Sequence, residues 1–376
     1  MLVLRLGIMQ RLILAFALCA LVAAPAASAA TSRDNGDHSR GYSTNGHGTS
    51  HNGNGHPGAP GASTLAIIGD IPYGAALIAE FPADVAQINA DPAVERVVHL
   101  GDIKDGSSRC DSSYFEARLT DFETFADPFV YTPGDNEWTD CHRASNGGYT
   151  PTERLTVIRQ LFFAHPGHTL GGDAHVDFQS AKYPENVRWV DNRVVYGTLH
   201  VVGSNDDQAS WFTDRTDATG APAPETPAES ADQAREYTSR EAANLEWLDG
   251  IFDEAEHENA PAVVVGMQAD MWDASAPASA LTAFNGLKAV LAARAAEFGK
   301  PVLLLEGDSH QFKVDTPAGQ PTNLTRIVVQ GSTNVPHEYL RLHVDPTDAT
   351  HPFSCENVQF VSGTETPCPA PLAPAP

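Results

Sequence analysis

The chain has 376 residues, 42% of them hydrophobic, with 48 acidic against 23 basic side chains and a net charge of −25. That surplus of negative charge gives no basic footprint for nucleic acid or an anionic membrane. Five cysteines and a length suited to one large α/β domain or two small ones bound the rest.

Residues 1–30 carry Arg5 and Arg11, an apolar run from Leu12 to Ala24, and small residues ending Ala27-Ser28-Ala29. This is the pattern of a cleaved secretory signal, with an apolar run short for a membrane span. Cys19 lies inside the run, but Phe16-Ala17-Leu18 is no lipoprotein box. A secreted or periplasmic protein without a membrane span is expected, its mature chain more acidic by the two lost arginines. Residues 31–62 are Gly, Asn, Ser, His and Pro, too polar to order themselves. They read as a disordered spacer whose His38, His47, His51 and His56 could bind metal loosely.

The folded domain is expected over 63–345. Four times in it an apolar, strand-like run ends in Gly-Asp: at Gly69-Asp70, Gly101-Asp102, Gly134-Asp135 and Gly307-Asp308. Continuous Val/Ile/Leu runs mark parallel strands buried on both faces, and ligands sit beyond the carboxyl ends of such strands. Carboxylates converging on one rim repel each other unless a cation neutralises them. The recurrence therefore points to a metal site.

Between these runs the periodicity predicts helices over 75–90, 112–125 and 151–163. A long β-like run covers 193–203 and ends in Gly203-Ser204-Asn205-Asp206-Asp207, a turn or a segment facing the site. Residues 216–230 read as a Pro/Ala/Glu/Thr-rich surface insertion. Thr238-x-x-Glu241 has the pattern of a capping box, followed by Leu245, Leu248, Ile251, Phe252 and Ala255 at helical spacing. A strand over 262–267, a helix over 278–298 stopped by Gly299 and Pro301, and a strand over 301–305 follow. Two β-like runs, 324–330 and 339–344, are expected to pair in a second sheet. Pro184-Glu185-Asn186 is a turn signal, and His99 and His200 read as core histidines. Asp270 and Trp272 are candidates for a substrate pocket.

Without the signal, four cysteines remain. Cys110 follows the second Gly-Asp and Cys141 the third, so a shared rim would pair them. Cys355 and Cys368 would then close a loop in the Pro-rich tail, 346–376. A Cys₄ zinc site would lack any close Cys-x-x-Cys pair.

The order of motifs resembles that of the calcineurin-like metallophosphoesterase superfamily over about residues 64–345. The matching segments are Gly69-Asp70-Ile71-Pro72-Tyr73, Gly101-Asp102-Ile103-Lys104-Asp105, Gly134-Asp135-Asn136-Glu137-Trp138, Gln268 after Val263-Val264-Val265-Gly266-Met267, and Gly307-Asp308-Ser309-His310. The resemblance implies a four-layer αββα sandwich with mixed sheets and a two-metal site on strand-end loops. It implies Asp70, Asp102, Asp135, Gln268, Asp308 and His310 as metal ligands, with Asp102 bridging and Asp105 supporting it. In a register shifted by one, Asn136 replaces Asp135. Cys110, Cys141, Cys355 and Cys368 lie outside these motifs.

The chain departs from the family pattern in ways that matter chemically. Pro72 stands where a histidine ligand is expected, Asp135 for an Asn, Gln268 and Asp308 for two His, and Asn136 for the acid/base His. Four carboxylates cancel two divalent cations, and oxygen donors favour Mg²⁺, Mn²⁺ or Ca²⁺ over Zn²⁺, with trivalent iron restoring one charge. Since Asn136 cannot titrate, His142 is the candidate proton donor and Arg143 the candidate phosphate clamp. The expected function is hydrolysis of a small-molecule or polymeric phosphoester by a metal-activated water. A non-catalytic metal- or ligand-binding descendant of the fold is the alternative. A haloacid-dehalogenase-type phosphatase is disfavoured because Asp70-Ile71-Pro72 lacks a second Asp.

Overall fold

The computed structural model describes residues 61–369 and Leu372. The expected signal segment and nearly all of the expected spacer lie outside the described residues.

Among the described residues, fourteen strands form two seven-stranded sheets. They are β1 (Ser63–Ile68), β2 (Arg96–His99), β3 (Pro128–Tyr131), β4 (Leu170–Gly171), β5 (Asp177–Ser180), β6 (Tyr183–Asp191), β7 (Val194–Thr198), β8 (Val263–Gly266), β9 (Val302–Glu306), β10 (Lys313–Asp315), β11 (Leu324–Val328), β12 (Glu338–Val344), β13 (Phe353–Gln359) and β14 (Glu365–Pro367). Sheet one runs β14-β13-β12-β1-β2-β3-β4 and sheet two β10-β11-β9-β8-β7-β6-β5. β1, β2 and β3 are mutually parallel, as are β7, β8, β9 and β11, while the outer pairings are antiparallel. Both sheets are therefore mixed.

The layering follows from alternation along each strand. Leu65 and Ile67 of β1 face a core shared with Tyr196, Val264, Leu303 and Leu305 of sheet two. Ala66 and Ile68, one residue out of phase, face the helices Gly74–Asn89, Ser112–Phe122 and Pro151–Phe162 through Phe81, Phe122 and Ile158. In sheet two, Val263, Val265, Val302 and Leu304 face the helices Pro227–His257 and Asn285–Phe298 through Leu248, Phe252 and Leu291. The result is four layers, αββα. Both faces of the central strands are dry, which is why they read as unbroken apolar runs.

Several sequence expectations are corrected. The helix expected to begin near Thr238 begins at Pro227. Its capping box is Thr226 with Glu229, where proline at the first turn costs no hydrogen bond. Most of the expected surface insertion thus precedes the helix, and its end lies inside it. The runs at 324–330 and 339–344 belong to different sheets: β11 joins β9, whereas β12 pairs antiparallel with β1. The expected tail carries β13 and β14, because Phe353, Cys355 and Val358 are buried against β12. Pro184-Glu185-Asn186 is strand, not turn, within β6. Both disulfides, Cys110–Cys141 and Cys355–Cys368, are formed. No helix among the described residues is long and apolar enough to cross a membrane.

Candidate metal centre

Asp70, Asp102 and Asp135 follow β1, β2 and β3, three adjacent parallel strands of sheet one. Gln268 follows β8, and Asp308 and His310 follow β9, two adjacent parallel strands of sheet two. Two groups form where these loops meet. Asp70, Asp102 and His310 each bring a ligand atom within 4.8 Å of the others, and so do Asp102, Asp135 and Asp308. Asp102 belongs to both.

Glycine permits this crowding. A Cβ on Gly134 would lie 2.1 Å from Asp102 Oδ1, and one on Gly307 would lie 2.6 Å from Asp70 Oδ2. The carboxylates turn inward on left-handed backbone, with φ of 55° at Asp70, 57° at Asp102 and 64° at Asp308. This conformation costs an L residue about 1–2 kcal/mol, and Asp tolerates it better than most.

Asp102 is the most firmly held. The Asn136 amide N–H donates to Oδ1 at 3.0 Å, and Asn136 Nδ2 and the Tyr73 hydroxyl donate to Oδ2 at 2.6 and 3.0 Å. Asp70 accepts the Asp308 backbone N–H on both oxygens, at 3.1 and 3.0 Å, and meets His310 Nε2 at 3.3 Å. Asp135 accepts Gln268 Nε2 at 3.2 Å and the Ser204 hydroxyl at 2.8 Å. The Asp308 carboxylate has no hydrogen-bond donor among the described residues. Beneath the rim, Glu137 Oε1 collects the Gly134 and Asp102 N–H groups and the Tyr131 hydroxyl, at 2.7, 3.2 and 2.7 Å.

Burial, then the neighbouring Asp135, pushes Asp102 well above the usual carboxylate range, and the same two causes raise Asp308. Burial also raises Asp70, although the His310 contact opposes it. Burial lowers His310, but its pairing with Asp70 outweighs this and the histidine is raised overall. Burial, followed by Asp102, raises the Tyr73 phenol well above its ordinary value. Buried anions without a cationic partner other than one histidine are electrostatically incomplete. Cations of hard character fit them: the donors are carboxylate oxygens with one imidazole, and Asp308 is free to ligate.

The sequence-derived residues do not all meet. Gln268 supports Asp135 instead of offering an oxygen: its Oε1 accepts the Gly203 N–H at 2.6 Å while its amide nitrogen donates to Asp135. Asp105 closes its own loop, accepting Ser107 N–H at 2.9 Å and the Ser107 and Ser108 hydroxyls, and makes no hydrogen bond to the cluster. His142 accepts the Phe212 N–H at 2.9 Å, and burial followed by Arg143 pushes its pKa down to about 4. Arg143 pairs with Asp140 at 2.5 Å and donates to the Gly106 carbonyl at 3.3 Å, and Asp140 shares the Ser204 hydroxyl with Asp135. Asn136 clamps Asp102, and Asp135 is the member of the cluster. His99 and His200 are fully buried and hydrogen-bonded, as core histidines are.

Tyr73, Glu137 and Ser204 are supporting residues that carried no individual role in the sequence, although the first two lie in the matching motifs and Ser204 in the segment read as a turn or as facing the site. Tyr73 is the third residue after the first Gly-Asp, and Glu137 the second after the third Asp. Ser204 opens the turn that follows β7, and nothing in its local sequence distinguishes it.

Comparison with protein-family models and with curated proteins finds no match. Solved structures with a similar course of the chain include GAP50, the anchor in the inner membrane complex of Plasmodium. It is 8% identical, with 83% of this chain and 89% of that chain covered, at a TM-score of 0.47. The purple acid phosphatase PPD1 of yellow lupin seeds is 8% identical over 81% of this chain and 53% of that chain, at 0.44. TT1561 of Thermus thermophilus is 12% identical over 79% of this chain and 100% of that chain, at 0.38.

Proposed function

We propose that the chain is an exported, metal-dependent phosphoester hydrolase of the metallophosphoesterase type, with an oxygen-rich centre. The observation that carries this reading is the sharing of Asp102 between two groups of three candidate ligands. Two cations there would supply an activated water and a clamp on the phosphoryl oxygens. Asp70, Asp102 and His310 would hold one, and Asp102, Asp135 and Asp308 the other. Tyr73 and Asn136 fix the orientation of Asp102, while Ser204 and Gln268 fix that of Asp135. Four carboxylates balance two divalent cations, so the proposed ions are Mg²⁺, Mn²⁺ or Ca²⁺, with iron as the trivalent option. Two disulfides are consistent with an oxidising compartment.

Elemental analysis of the mature protein, with Asp102→Ala as control, tests the centre. Hydrolysis of an aryl phosphate before and after chelation tests the chemistry. About two ions per chain and chelator-sensitive turnover support the reading; a metal content unchanged in Asp102→Ala would sink it. One observation favours a second reading, a non-catalytic binding protein: His142 is engaged with Phe212 and Asn136 with Asp102, so neither is poised to protonate a leaving group. Metal uptake without turnover of any phosphoester would select it.

A further inference from the structure

A cleft of about 510 Å³ opens beside the centre, with Asp135 and Asp308 in its wall. We propose that this cleft receives the alcohol half of the substrate and selects phosphoesters of cationic alcohols, those bearing an amine or a quaternary ammonium. The proposal rests on the hydrolase reading of the neighbouring centre.

Its charge carries the inference. Among the described residues no lysine, arginine or histidine lines the cleft, whereas Asp270 and Asp273 add to Asp135 and Asp308. Asp270 is only 4% exposed. Its Oδ1 accepts Arg326 Nη1 at 2.5 Å and the Trp272 N–H at 3.0 Å, while its Oδ2 has no donor among the described residues. Arg326 is divided among Asp270, Glu306 at 3.1 Å and Asp315 at 2.9 Å, and Lys288 Nζ lies 5.1 Å from the Trp272 ring without lining the cleft, so Asp270 is compensated in part. Asp273 accepts only the Ser275 N–H and hydroxyl, at 2.8 and 2.9 Å, and has no cationic partner among the described residues. The four carboxylates of the centre already cancel two divalent cations. The cleft therefore retains negative potential, which attracts a cation and repels a second phosphate or a carboxylate.

The remaining wall suits the same ligand. Leu281 and Phe284 give an apolar patch against which methylene or methyl groups can pack. Ser204 and Asn205 also line the cleft, on a turn whose four residues, Ser204 to Asp207, have φ of 53°, 55°, 53° and 66°. Asn205 Oδ1 accepts the Ala283 N–H at 3.0 Å and ties this turn to the Phe284 side.

The test is calorimetric titration of the full, metal-loaded chain with phosphocholine and, separately, with inorganic phosphate and a nucleoside monophosphate. Phosphocholine is expected to bind about tenfold more tightly at low salt, with the preference shrinking as salt rises. Asp273→Asn should reduce the preference about threefold without changing metal content. Asp270→Asn, folded by circular dichroism, should reduce it further because that carboxylate is buried. Equal or tighter binding of either anionic probe, no binding of phosphocholine, or a preference untouched in both variants would overturn the proposal. Turnover is read independently with nitrophenyl phosphocholine and nitrophenyl phosphate. If neither is cleaved while the binding preference persists, the hydrolase reading fails and the cleft's selectivity stands.

Discussion

The two sheets contribute to the rim in different ways. Sheet one supplies Asp70, Asp102 and Asp135 from three neighbouring strands; Asp102 and Asp135 are each held by at least two donors, and Asp70 by the Asp308 N–H on both oxygens. Sheet two supplies Asp308, whose carboxylate is unheld, and His310, which meets Asp70 at 3.3 Å and Thr333 at 2.5 Å. One half of the centre is preorganised and the other can adapt. Preorganised donors do not have to be ordered when a cation arrives, so the first half should set affinity. The second half, freer and more exposed, should set which ion is accepted.

Asp102→Ala probes the shared element of that contrast and should have the largest effect. Loss of both ions and of all metal-dependent activity is expected, read by elemental analysis. Retention of one ion would show that the halves are independent.

Chelation against pH comes next. Burial raises Asp70, Asp102 and Asp308 in the folded chain. The metal-free fold then binds more protons than the unfolded chain above the ordinary carboxylate range, so its stability falls as pH rises. Added cations should reverse the trend. Melting curves at about pH 5 and about pH 8 should show a metal-induced rise in Tm that is larger at the higher pH. An equal rise at both would mean that the cluster is ionised without metal.

A third, smaller effect separates the halves directly. Asp308→Asn should leave one ion bound tightly and weaken the other at least about tenfold, whereas Asn136→Ala should weaken both by about 10–100-fold through Asp102. Competition between Mg²⁺ and Ca²⁺ should change more in Asp308→Asn than in Asn136→Ala. The reverse order would refute the division into a rigid and an adaptable half.

The disulfides extend the comparison at lower amplitude. Cys110–Cys141 joins the loops that follow Asp102 and Asp135, spanning 31 residues, while Cys355–Cys368 spans 13 at the far edge of sheet one. On loop-closure entropy alone each stabilises by about 3–4 kcal/mol. Replacing the first pair by Ser should lower both Tm and metal affinity; replacing the second should lower Tm alone. Equal effects on metal affinity would remove the first disulfide from any role in shaping the rim.

Much of the architecture was legible because it repeats. Buried parallel strands are apolar at every position, and a Gly-Asp at the end of each marks both the turn and the carboxylate. That rule located Asp70, Asp102, Asp135 and Asp308, the helices between them and the Cys110–Cys141 pairing. What repetition did not cover was misplaced. β14 is only three residues long and ends in proline, β13 mixes polar with apolar residues around Cys355, and Glu185 sits in a strand behind a Pro that resembled a turn. The true start of the helix Pro227–His257 was hidden because its first turns are polar and exposed.

The sequence by itself determined the alternation that makes four layers, the glycines that let carboxylates approach within a few ångströms, and the acidic character of the rim. These are local properties: each depends on one strand and the residue or two beyond it. The tertiary structure alone decided which side chains became candidate ligands and which became supports. Gln268 was spent on Gly203 and Asp135, Asp105 on Ser107, and His142 on Phe212, while Tyr73 and Ser204 were brought in from separate loops. A side chain's role here depends on which donors lie within about 3 Å across the gap between two sheets. That distance is set by packing partners far apart in the chain and is not written at any one position.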